Sequence, residues 1–201
     1  MQHSFFALIS RMRFIGRWGL MRNSSSENIQ EHSHMVACLA HALAVIRRDV
    51  FGRSCDAELC AAAALYHDAA EIFTGDLPTP IKYHDGAIRD AYKRVEAAAE
   101  AQLIAALPQS LRPAYEKLLS PADPGVREIV KAADKLAAYI KCVEECAAGN
   151  GDFKTALEQT RTALLGYGLP EVDYFLEHFG GAFGLTLDEL TADQTKGTER
   201  K

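Results

Sequence analysis

Two adjacent residues, His67 and Asp68, are the side chains of this sequence best suited to carry chemistry. His32 lies upstream of them and Asp134 downstream, which completes two imidazoles and two carboxylates in the order His, His-Asp, Asp. This set suits a divalent cation that keeps coordination positions for water, since imidazole and carboxylate are common ligands of hydrolytic metal ions. If the four side chains converge, we expect a metal-dependent hydrolase.

The spacing of apolar residues tests whether His32 points inward. It lies four residues before Val36, so it belongs to the apolar stripe of its predicted helix. At about 100° per residue, His34 and His41 fall roughly 200° and 180° away from His32. We therefore expect His32, but neither of the other two histidines, to face a metal site.

The remaining three residues follow the same logic. His67 lies on the apolar stripe of the next predicted helix, and Glu71 returns to the same face four residues later. Asp68 lies about 100° round the helix, so both side chains can reach one ion near a helix end. Asp134 falls among apolar residues, where a carboxylate needs a cation or hydrogen bonds. Two alternatives stay open: an inward histidine is most often a satisfied core residue, and Asp134 could pair with an arginine.

Composition limits the classes of function. With 201 residues and a net charge of -5, the chain is long enough for one domain with a buried core and lacks the basic excess of a binder of polymeric nucleic acid. Its five cysteines include no CxxC pair, which favours buried thiols in a reducing cytoplasm. No apolar run approaches the length of a membrane span, and the N-terminal residues lack the features of a signal peptide. We expect a cytoplasmic protein that does not engage a membrane.

The chain is predicted to be all-α. Helix-forming residues fill the candidate elements, and the alternation typical of strands is nearly absent. The predicted helices cover residues 2–13, 27–48, 56–72, 85–107, 109–119, 126–148, 152–166 and 171–179. We interpret residues 1–190 as one helical bundle with a central metal site and residues 191–201 as a polar, disordered tail.

Two segments between helices have distinct compositions. The segment Thr74-Gly75-Asp76-Leu77-Pro78-Thr79-Pro80 is predicted to be a stiff loop, because its two prolines oppose helix formation. It follows Glu71 directly, so it should lie beside the metal and contact a ligand, although a simple helix connector is the alternative. The segment Ser24-Ser25-Ser26-Glu27 is predicted to cap the second helix.

These motifs together resemble the HD-domain phosphohydrolase superfamily and, within it, the bacterial 5′-deoxynucleotidases. The His67-Asp68 dipeptide alone is weak evidence for this family. The likeness, however, spans about residues 2–190, and the Thr74–Pro80 segment and the Arg17-Trp18 pair are far more specific to the family than the dipeptide. The matching segments are Arg17-Trp18, Met21-Arg22-Asn23, Glu27-Asn28, Glu31-His32-Ser33, Tyr66-His67-Asp68-Ala69-Ala70-Glu71, Thr74–Pro80, Ala133-Asp134, Glu144-Glu145, Ala147-Ala148-Gly149-Asn150 and Asp173-Tyr174-Phe175.

The resemblance implies a homodimer that hydrolyses deoxyribonucleoside 5′-monophosphates and rejects ribonucleotides. It implies one divalent ion, Co²⁺, Mn²⁺ or another transition metal, held by His32, His67, Asp68 and Asp134. It also implies that Arg17 orients the phosphate, that Trp18 faces the sugar, and that the loop from Asp76 to Thr79 contacts the nucleotide. The implied substrate-binding residues are therefore Arg17, Trp18, His32, His67, Asp68, Asp76, Leu77, Pro78, Thr79 and Asp134.

Three residues are candidates for catalysis. Glu71 is expected to orient or deprotonate the attacking water, with a surface salt bridge as the alternative. Arg17 is expected to hold the phosphate with its planar fork of donors. Asp76 is expected either to protonate the leaving 5′-oxygen or to bind the sugar, and the sequence does not separate these roles. For Trp18, anchoring of the N-terminal helix to the core is the alternative.

Two other functional classes share part of this pattern. One is a different HD enzyme: a cyclic-nucleotide phosphodiesterase, a nucleoside triphosphohydrolase or a guanosine-tetraphosphate hydrolase. The other is a non-catalytic nucleotide-sensing dimer module, which would be expected to lose one or more of the ligands or Glu71. All of these residues are present, which favours catalysis.

Overall fold

A computed structural model describes residues 2–78 and 85–198, with side chains described as far as residue 192. Within these ranges the chain is helical and the only strand-like pairing is an isolated β-bridge between Gly16 and Asn28, which confirms the all-α prediction. The α-helices are α1 (Phe5–Ile9), α2 (Ile29–Val45), α3 (Ala57–Ala64), α4 (Glu71–Thr74), α5 (Gly86–Ala105), α6 (Arg112–Leu119), α7 (Pro124–Ala147), α8 (Lys154–Leu165), α9 (Pro170–Phe179) and α10 (Leu187–Thr198).

The main core lies where α2, α3 and α7 pack against one another. Val36 and Leu43 of α2 and Leu136 of α7 are fully buried, and each such side chain contributes roughly 1.5–3 kcal/mol through burial. The α3 helix offers mostly alanines, and Ala63 and Ala64 are buried. Because alanine adds little bulk, α3 can pack close to its neighbours. Its C-terminal end therefore lies near the helices that carry His32 and Asp134.

The start of α2 differs from the prediction in a way that matters for the site. Asn28 is the N-cap, and its side chain and that of Glu31 form reciprocal hydrogen bonds with the backbone. The cap is therefore Asn28 and not the Ser24–Glu27 segment. Glu27 consequently lies in the chain that precedes the helix, where its side chain is free to make tertiary contacts.

The predicted helix over residues 56–72 is interrupted. The α3 helix ends at Ala64, residues 65–70 form turns, and α4 begins at Glu71. The Nδ1 atom of His67 lies 2.7 Å from the carbonyl oxygen of Ala64 and donates to it. Backbone bonds in this segment span three residues, as from Tyr66 to Ala63 and from Ala69 to Tyr66. This tighter winding replaces the α-helical geometry, and it allows both members of the His67-Asp68 pair to face one site.

A second departure occurs at the C-terminal end of α2. The predicted helix 27–48 passes from α2 into a π-helical turn, Ile46–Val50. Such a turn widens the helix by one residue and changes which side chains face inward. Arg47 is thereby buried, at 4% exposure, next to α7 and α9.

The helix predicted over residues 2–13 is α-helical only over α1 and continues as a 3₁₀ helix, Ser10–Phe14, and it docks on the body of the protein. Phe5 is 1% exposed, and its ring centre lies 4.9 Å from that of Tyr115 and 6.2 Å from that of Tyr66. These aromatic contacts support the turn segment that carries His67.

The C-terminal helix α10 runs into the segment that the sequence assigns to a tail, while residues 199–201 lie outside the described part of the chain. The division at residue 190 stays a prediction. Among the described residues, none of the helices combines the length and apolar character that a membrane crossing requires.

Candidate metal centre and substrate site

The four candidate ligands meet in one cluster. His32 of α2 and Asp134 of α7 approach each other to 3.0 Å between Nε2 and Oδ1. His67 Nε2 lies 3.1 Å from Asp68 Oδ2 and 3.9 Å from Asp134 Oδ1, and His32 Nε2 lies 3.7 Å from Asp68 Oδ2. His32, His67 and Asp68 each offer one ligand atom, and these atoms lie within 4.8 Å of one another. Asp134 closes the group through its contacts with both imidazole rings.

The hydrogen-bonding of His67 fits a metal ligand. Because its Nδ1 donates to Ala64, the neutral ring carries its lone pair on Nε2, which points into the cluster. That Nε2 atom is buried and makes no hydrogen bond within the described residues. A lone pair facing the Asp68 carboxylate at 3.1 Å is unfavourable without a positive charge between them. The donor set therefore fits a cation.

The electrostatics of the cluster lead to the same conclusion. Burial alone would lower the pKa of His67, yet the Asp68 and Asp134 carboxylates raise it to about 9. Burial would raise the pKa of Asp68, yet His67 holds it at about 2, and the two rings likewise lower the pKa of Asp134. The carboxylates are ionised at neutral pH and attract positive charge, whether as a proton on His67 or as a bound cation.

Arg17 lies at the edge of this cluster. Its Nη1 donates to Asp68 Oδ2 over 3.3 Å, and its Nε donates to Glu27 Oε2 over 3.2 Å. Burial acts to lower its pKa, but the surrounding carboxylates, Asp68 first and then Asp134, Glu27 and Asp76, raise it. The guanidinium is therefore permanently charged and only 12% exposed, as a residue that binds an anion in a desolvated site requires.

Trp18 has an unusual backbone. Its φ of 58° lies in the left-handed region, which a bulky residue occupies at a cost of roughly 1–3 kcal/mol. Its Nε1 donates to Glu27 Oε2 over 3.0 Å, and its ring centre lies 5.3 Å from that of Phe153. Both proposed explanations of this tryptophan have support, since the indole packs on the body of the protein and is also adjacent to Arg17.

The remaining predicted residues lie beside the cluster or outside the described range. Glu71 is 6% exposed at the start of α4, and its backbone N–H donates to the carbonyl of Asp68. Its burial argues against the surface salt bridge. Asp76, Leu77 and Pro78 are half-buried, and Asp76 is close enough to raise the pKa of Arg17. Thr79 lies outside the described residues.

Residues predicted to lie away from the site do so. His34 and His41 are exposed on the far face of α2, as the helical phase predicts. Arg11, Arg13 and Arg22 are exposed as well, and Arg22 pairs with Asp152 on the surface. Among the arginines near the N-terminus, Arg17 is thus the one that reaches the cluster.

Sequence reasoning did not assign a role to Glu27. It appeared to belong to the cap or first turn of α2, and no helical spacing links it to Arg17 ten residues earlier. Its place as the single acidic residue between the Arg-Trp pair and the capping Asn28 is the one sequence signal that could have drawn attention to it. In the structure its carboxylate contacts both Arg17 and Trp18.

The loop between Trp18 and Glu27 is fixed to α7 through Glu145, which is 1% exposed. Its carboxylate accepts hydrogen bonds from the Ser24 and Ser25 amides at 2.8 and 3.2 Å, and from Asn150 and Lys141. Next to this network lies a cavity of about 450 Å³ between the loop, α2 and α7. The ligand atoms, not this cavity, mark the chemical centre, because the cavity walls lack converging metal ligands.

Comparison with known proteins gives a consistent result. The model of the YfbR-like 5′-deoxynucleotidase family matches residues 4–183. A 5′-deoxynucleotidase of Vibrio cholerae is 48% identical over 194 residues, which cover 95% of this chain and all of that protein. The 5′-deoxynucleotidase YfbR of Shigella dysenteriae is 45% identical, with 96% of this chain and 98% of that protein covered.

Solved structures share the fold. An HD-domain phosphohydrolase of Listeria innocua superposes with a TM-score of 0.77 at 24% identity, covering 96% of this chain and 98% of that chain. The HD phosphohydrolase DatZ of cyanophage S-2L, bound to dA and one catalytic Zn²⁺ ion, superposes with a TM-score of 0.59 at 23% identity, covering 88% and 96%. The match of the family model over most of the chain, together with relatives at nearly half identity, shows that the protein belongs to the YfbR-like 5′-deoxynucleotidase family.

Proposed function

We propose that the protein hydrolyses deoxyribonucleoside 5′-monophosphates to a deoxyribonucleoside and inorganic phosphate, with a divalent metal ion held at the His-Asp cluster. The observation that carries this proposal is the convergence of His32, His67, Asp68 and Asp134 beside Arg17, whose side chain is 12% exposed. Family membership supports the same reaction, since its members with nearly half of their residues identical carry the name 5′-deoxynucleotidase.

The metal would be held by His32, His67, Asp68 and Asp134. When bound, a divalent ion would supply Lewis acidity toward the phosphate ester and lower the pKa of water at the site. This set of two imidazoles and two carboxylates would suit Co²⁺, Mn²⁺ or another transition metal ion. The phage relative holds Zn²⁺, so zinc belongs in any comparison of metals.

Arg17 and Glu71 have complementary tasks in this mechanism. The Arg17 guanidinium, close to Asp68, would bind the phosphate oxygens and hold the phosphorus next to the ligand cluster. Glu71, buried directly after the His-Asp turn, would orient or deprotonate the attacking water. Asp76, which faces Arg17, would then serve the leaving 5′-oxygen or the sugar.

Trp18 would select the sugar. It follows Arg17 directly, so its rigid indole lies one step further along a nucleotide whose phosphate is held by Arg17. A ring placed against C2′ excludes the 2′-hydroxyl of a ribonucleotide by steric clash. Such a clash discriminates against ribonucleotides without requiring a hydrogen bond that only one of the two sugars could make. The left-handed backbone of Trp18 and its bond to Glu27 give the indole one fixed orientation.

One experiment tests the proposed reaction. Phosphate release is measured from a panel of deoxy- and ribonucleoside mono-, di- and triphosphates, a cyclic nucleotide and guanosine tetraphosphate, each with Co²⁺, Mn²⁺, Mg²⁺ and Zn²⁺. We expect turnover of the deoxyribonucleoside monophosphates alone. Preference for another member of the panel would indicate one of the other HD enzymes, and nucleotide binding without turnover under all metals would indicate a sensing module.

We also propose that the protein is a cytoplasmic homodimer. Its five cysteines are all free thiols, and the Cys55 and Cys60 sulfurs lie 3.8 Å apart in a thiol hydrogen bond and not in a disulfide, as a reducing compartment favours. Phe14 and Leu20, at 67% and 79% exposure, offer apolar surface near the N-terminal segment. Sedimentation velocity of the purified protein tests the dimer.

A further inference from the structure

We propose that Glu27 is a positioning residue that couples phosphate binding by Arg17 to sugar selection by Trp18. The inference rests on the proposed function of those two residues and extends it to a third side chain. It predicts that the rate of hydrolysis and the preference for deoxyribose depend on one shared carboxylate.

A single oxygen of Glu27 serves both residues. Oε2 accepts a hydrogen bond from Arg17 Nε over 3.2 Å and from Trp18 Nε1 over 3.0 Å. The bond from a guanidinium to a carboxylate is charge-assisted, and the Glu27 side chain is only 17% exposed, so both bonds are shielded from water. A shift of this oxygen moves the guanidinium and the indole together.

The backbone holds Glu27 opposite the two residues. The amide of Arg17 donates to the carbonyl of Glu27 over 2.9 Å, and the amide of Ile29 donates to the carbonyl of Ile15 over 3.0 Å. With the bridge between Gly16 and Asn28, these bonds form a short antiparallel pairing at the base of the loop. Side chains on such a pairing lie next to each other, which explains why Glu27 reaches Arg17 across ten residues of sequence.

Trp18 depends on this acceptor for its orientation. Its left-handed backbone is intrinsically unfavourable and persists only where neighbouring contacts fix it. The Trp18 carbonyl accepts hydrogen bonds from the Met21 amide and from Asn23 Nδ2. The described contacts of the indole are the Glu27 bond at its polar end and the Phe153 ring at its face. Loss of the Glu27 bond leaves only packing, which tolerates rotation of the indole about its side-chain torsions.

Glu27 also lies near the metal cluster. Its Oε1 is 3.9 Å from Nδ1 of His32, too far for a hydrogen bond but close enough for an electrostatic contact. Nδ1 is the ring atom opposite the one that faces Asp134. The Glu27 carboxylate thus contacts Arg17 and Trp18, the residues proposed to bind the phosphate and the sugar, and it lies beside the candidate metal ligand His32.

The test compares Glu27→Gln and Glu27→Ala with the parent enzyme. Glu144→Gln is the matched control, because Glu144 lines the same cavity as Glu27 but is exposed and has no described contact with Arg17 or Trp18. For dAMP and AMP, kcat and KM are measured with a saturating metal. We expect Glu27→Ala to lower both kcat for dAMP and the dAMP-to-AMP ratio of kcat/KM by roughly tenfold or more, with Glu27→Gln intermediate.

Fluorescence gives a readout that does not require turnover. The chain has a single tryptophan, so its emission reports on the Trp18 indole alone. We expect the Glu27 variants, but not Glu144→Gln, to change the emission maximum or its quenching by acrylamide. This measurement remains interpretable if the panel experiment rejects the proposed reaction, so the two failures are distinguishable.

A double-mutant cycle isolates the coupling. Trp18→Phe keeps an aromatic ring and removes the indole N–H. In that background, Glu27→Gln should change the dAMP-to-AMP ratio of kcat/KM little further, because the bond to the indole is already lost. It should still lower kcat, because the bond to Arg17 remains affected. Additive effects of the Glu27 and Trp18 substitutions on the dAMP-to-AMP ratio of kcat/KM would overturn the proposal. A folded Glu27→Ala variant with an unchanged ratio or with unchanged tryptophan fluorescence would also overturn it. Circular dichroism establishes folding, and Glu27→Gln, which preserves side-chain size, keeps the test available if Glu27→Ala does not fold.

Discussion

Two clusters of buried charge lie at opposite ends of the same helical segment. At the C-terminal end, Arg47 of the π turn donates to the buried Glu171 and, over 2.6 Å, to Glu128. At the N-terminal end, the fully buried His32 faces Asp68 and Asp134. Both clusters place carboxylates against a buried side chain of opposite charge or a buried imidazole, although Glu171 is fully buried and Asp68 and Asp134 are partly exposed.

The clusters differ in how the carboxylates are neutralised. Arg47 is a fixed cation of the chain, and it neutralises Glu171 through Oε1 inside its own cluster, while Glu171 Oε2 accepts no hydrogen bond within the described residues and lies 3.9 Å from Arg53 Nη1. In the His-Asp cluster Arg17 contacts only the edge, while His67 Nε2 at the centre makes no hydrogen bond within the part of the chain that the structure describes. A buried cluster with a permanent cation stabilises the fold, whereas one whose positive charge is either an exchangeable proton on His67 or a bound cation can take up a metal. Four substitutions test this distinction.

The largest effect should follow His67→Ala. Removal of this ligand should abolish stoichiometric binding of metal and lower kcat/KM by roughly 10⁴-fold, because a Lewis acid supplies several kcal/mol of charge stabilisation. Metal analysis and phosphate release measure both. His34→Ala on the exposed face of α2 is the control and should keep the metal. Full metal content in the His67 variant would contradict the assignment.

Glu71→Gln should lower kcat by on the order of 10²–10⁴ while the nucleotide still binds, because the amide cannot accept a proton from water. Steady-state kinetics together with equilibrium binding of a non-hydrolysed analogue separate the two effects. The variant should keep its metal, unlike the His67 variant. A kcat close to that of the parent would assign Glu71 a structural role.

Glu171→Gln should lower the stability of the fold and leave the activity unchanged, in contrast to the His67 and Glu71 variants. It leaves Arg47 with the partly exposed Glu128 as its remaining carboxylate partner in this cluster, and it should reduce the free energy of unfolding by about 1.5–3 kcal/mol, while kcat per folded molecule stays unchanged. Denaturant unfolding and kinetics on the same sample measure both quantities. Glu158→Gln on the exposed surface of α8 serves as a control for loss of one negative charge. A selective loss of activity without loss of stability would remove the distinction between the clusters.

The smallest effect should follow Trp18→Ala, which keeps the metal and changes only selectivity. Opening the space at C2′ should narrow the dAMP-to-AMP ratio of kcat/KM by roughly 10–100-fold, mainly by raising the relative use of AMP. Metal content and circular dichroism must first match those of the parent. If a folded variant still rejects AMP as strongly, the discrimination resides elsewhere, most directly in the loop that begins at Asp76.

Helical periodicity was sufficient to predict that His32 and Asp134 face the same site. His32 and Asp134 lie within long, strongly patterned helices, and the inward phase of both is confirmed by their convergence. The turns at residues 65–70 could not be predicted, because alanine and leucine favour a continuous helix there and the interruption depends on a side-chain bond from His67 to Ala64. Periodicity gives no information about that local competition for a carbonyl.

The substrate side of the site was harder to predict, because it is built from a loop. Trp18 has a positive φ, although a tryptophan strongly prefers negative values. From the sequence, the positive φ would be expected at the neighbouring Gly19. The contact of Glu27 with Arg17 depends on backbone pairing across a loop of irregular shape. Only the resemblance to a family drew attention to Arg17 and Trp18, and the role of Glu27 required the structure.

The hydrogen bonds of Glu145 have a consequence for motion. Ser24 and Ser25 are exposed loop residues whose amides donate to a carboxylate that is itself 1% exposed. Exposed loop amides usually exchange with solvent deuterium quickly, but these two must first leave Glu145. Their exchange should therefore be slow and should occur in the same opening event as that of the C-terminal turn of α7.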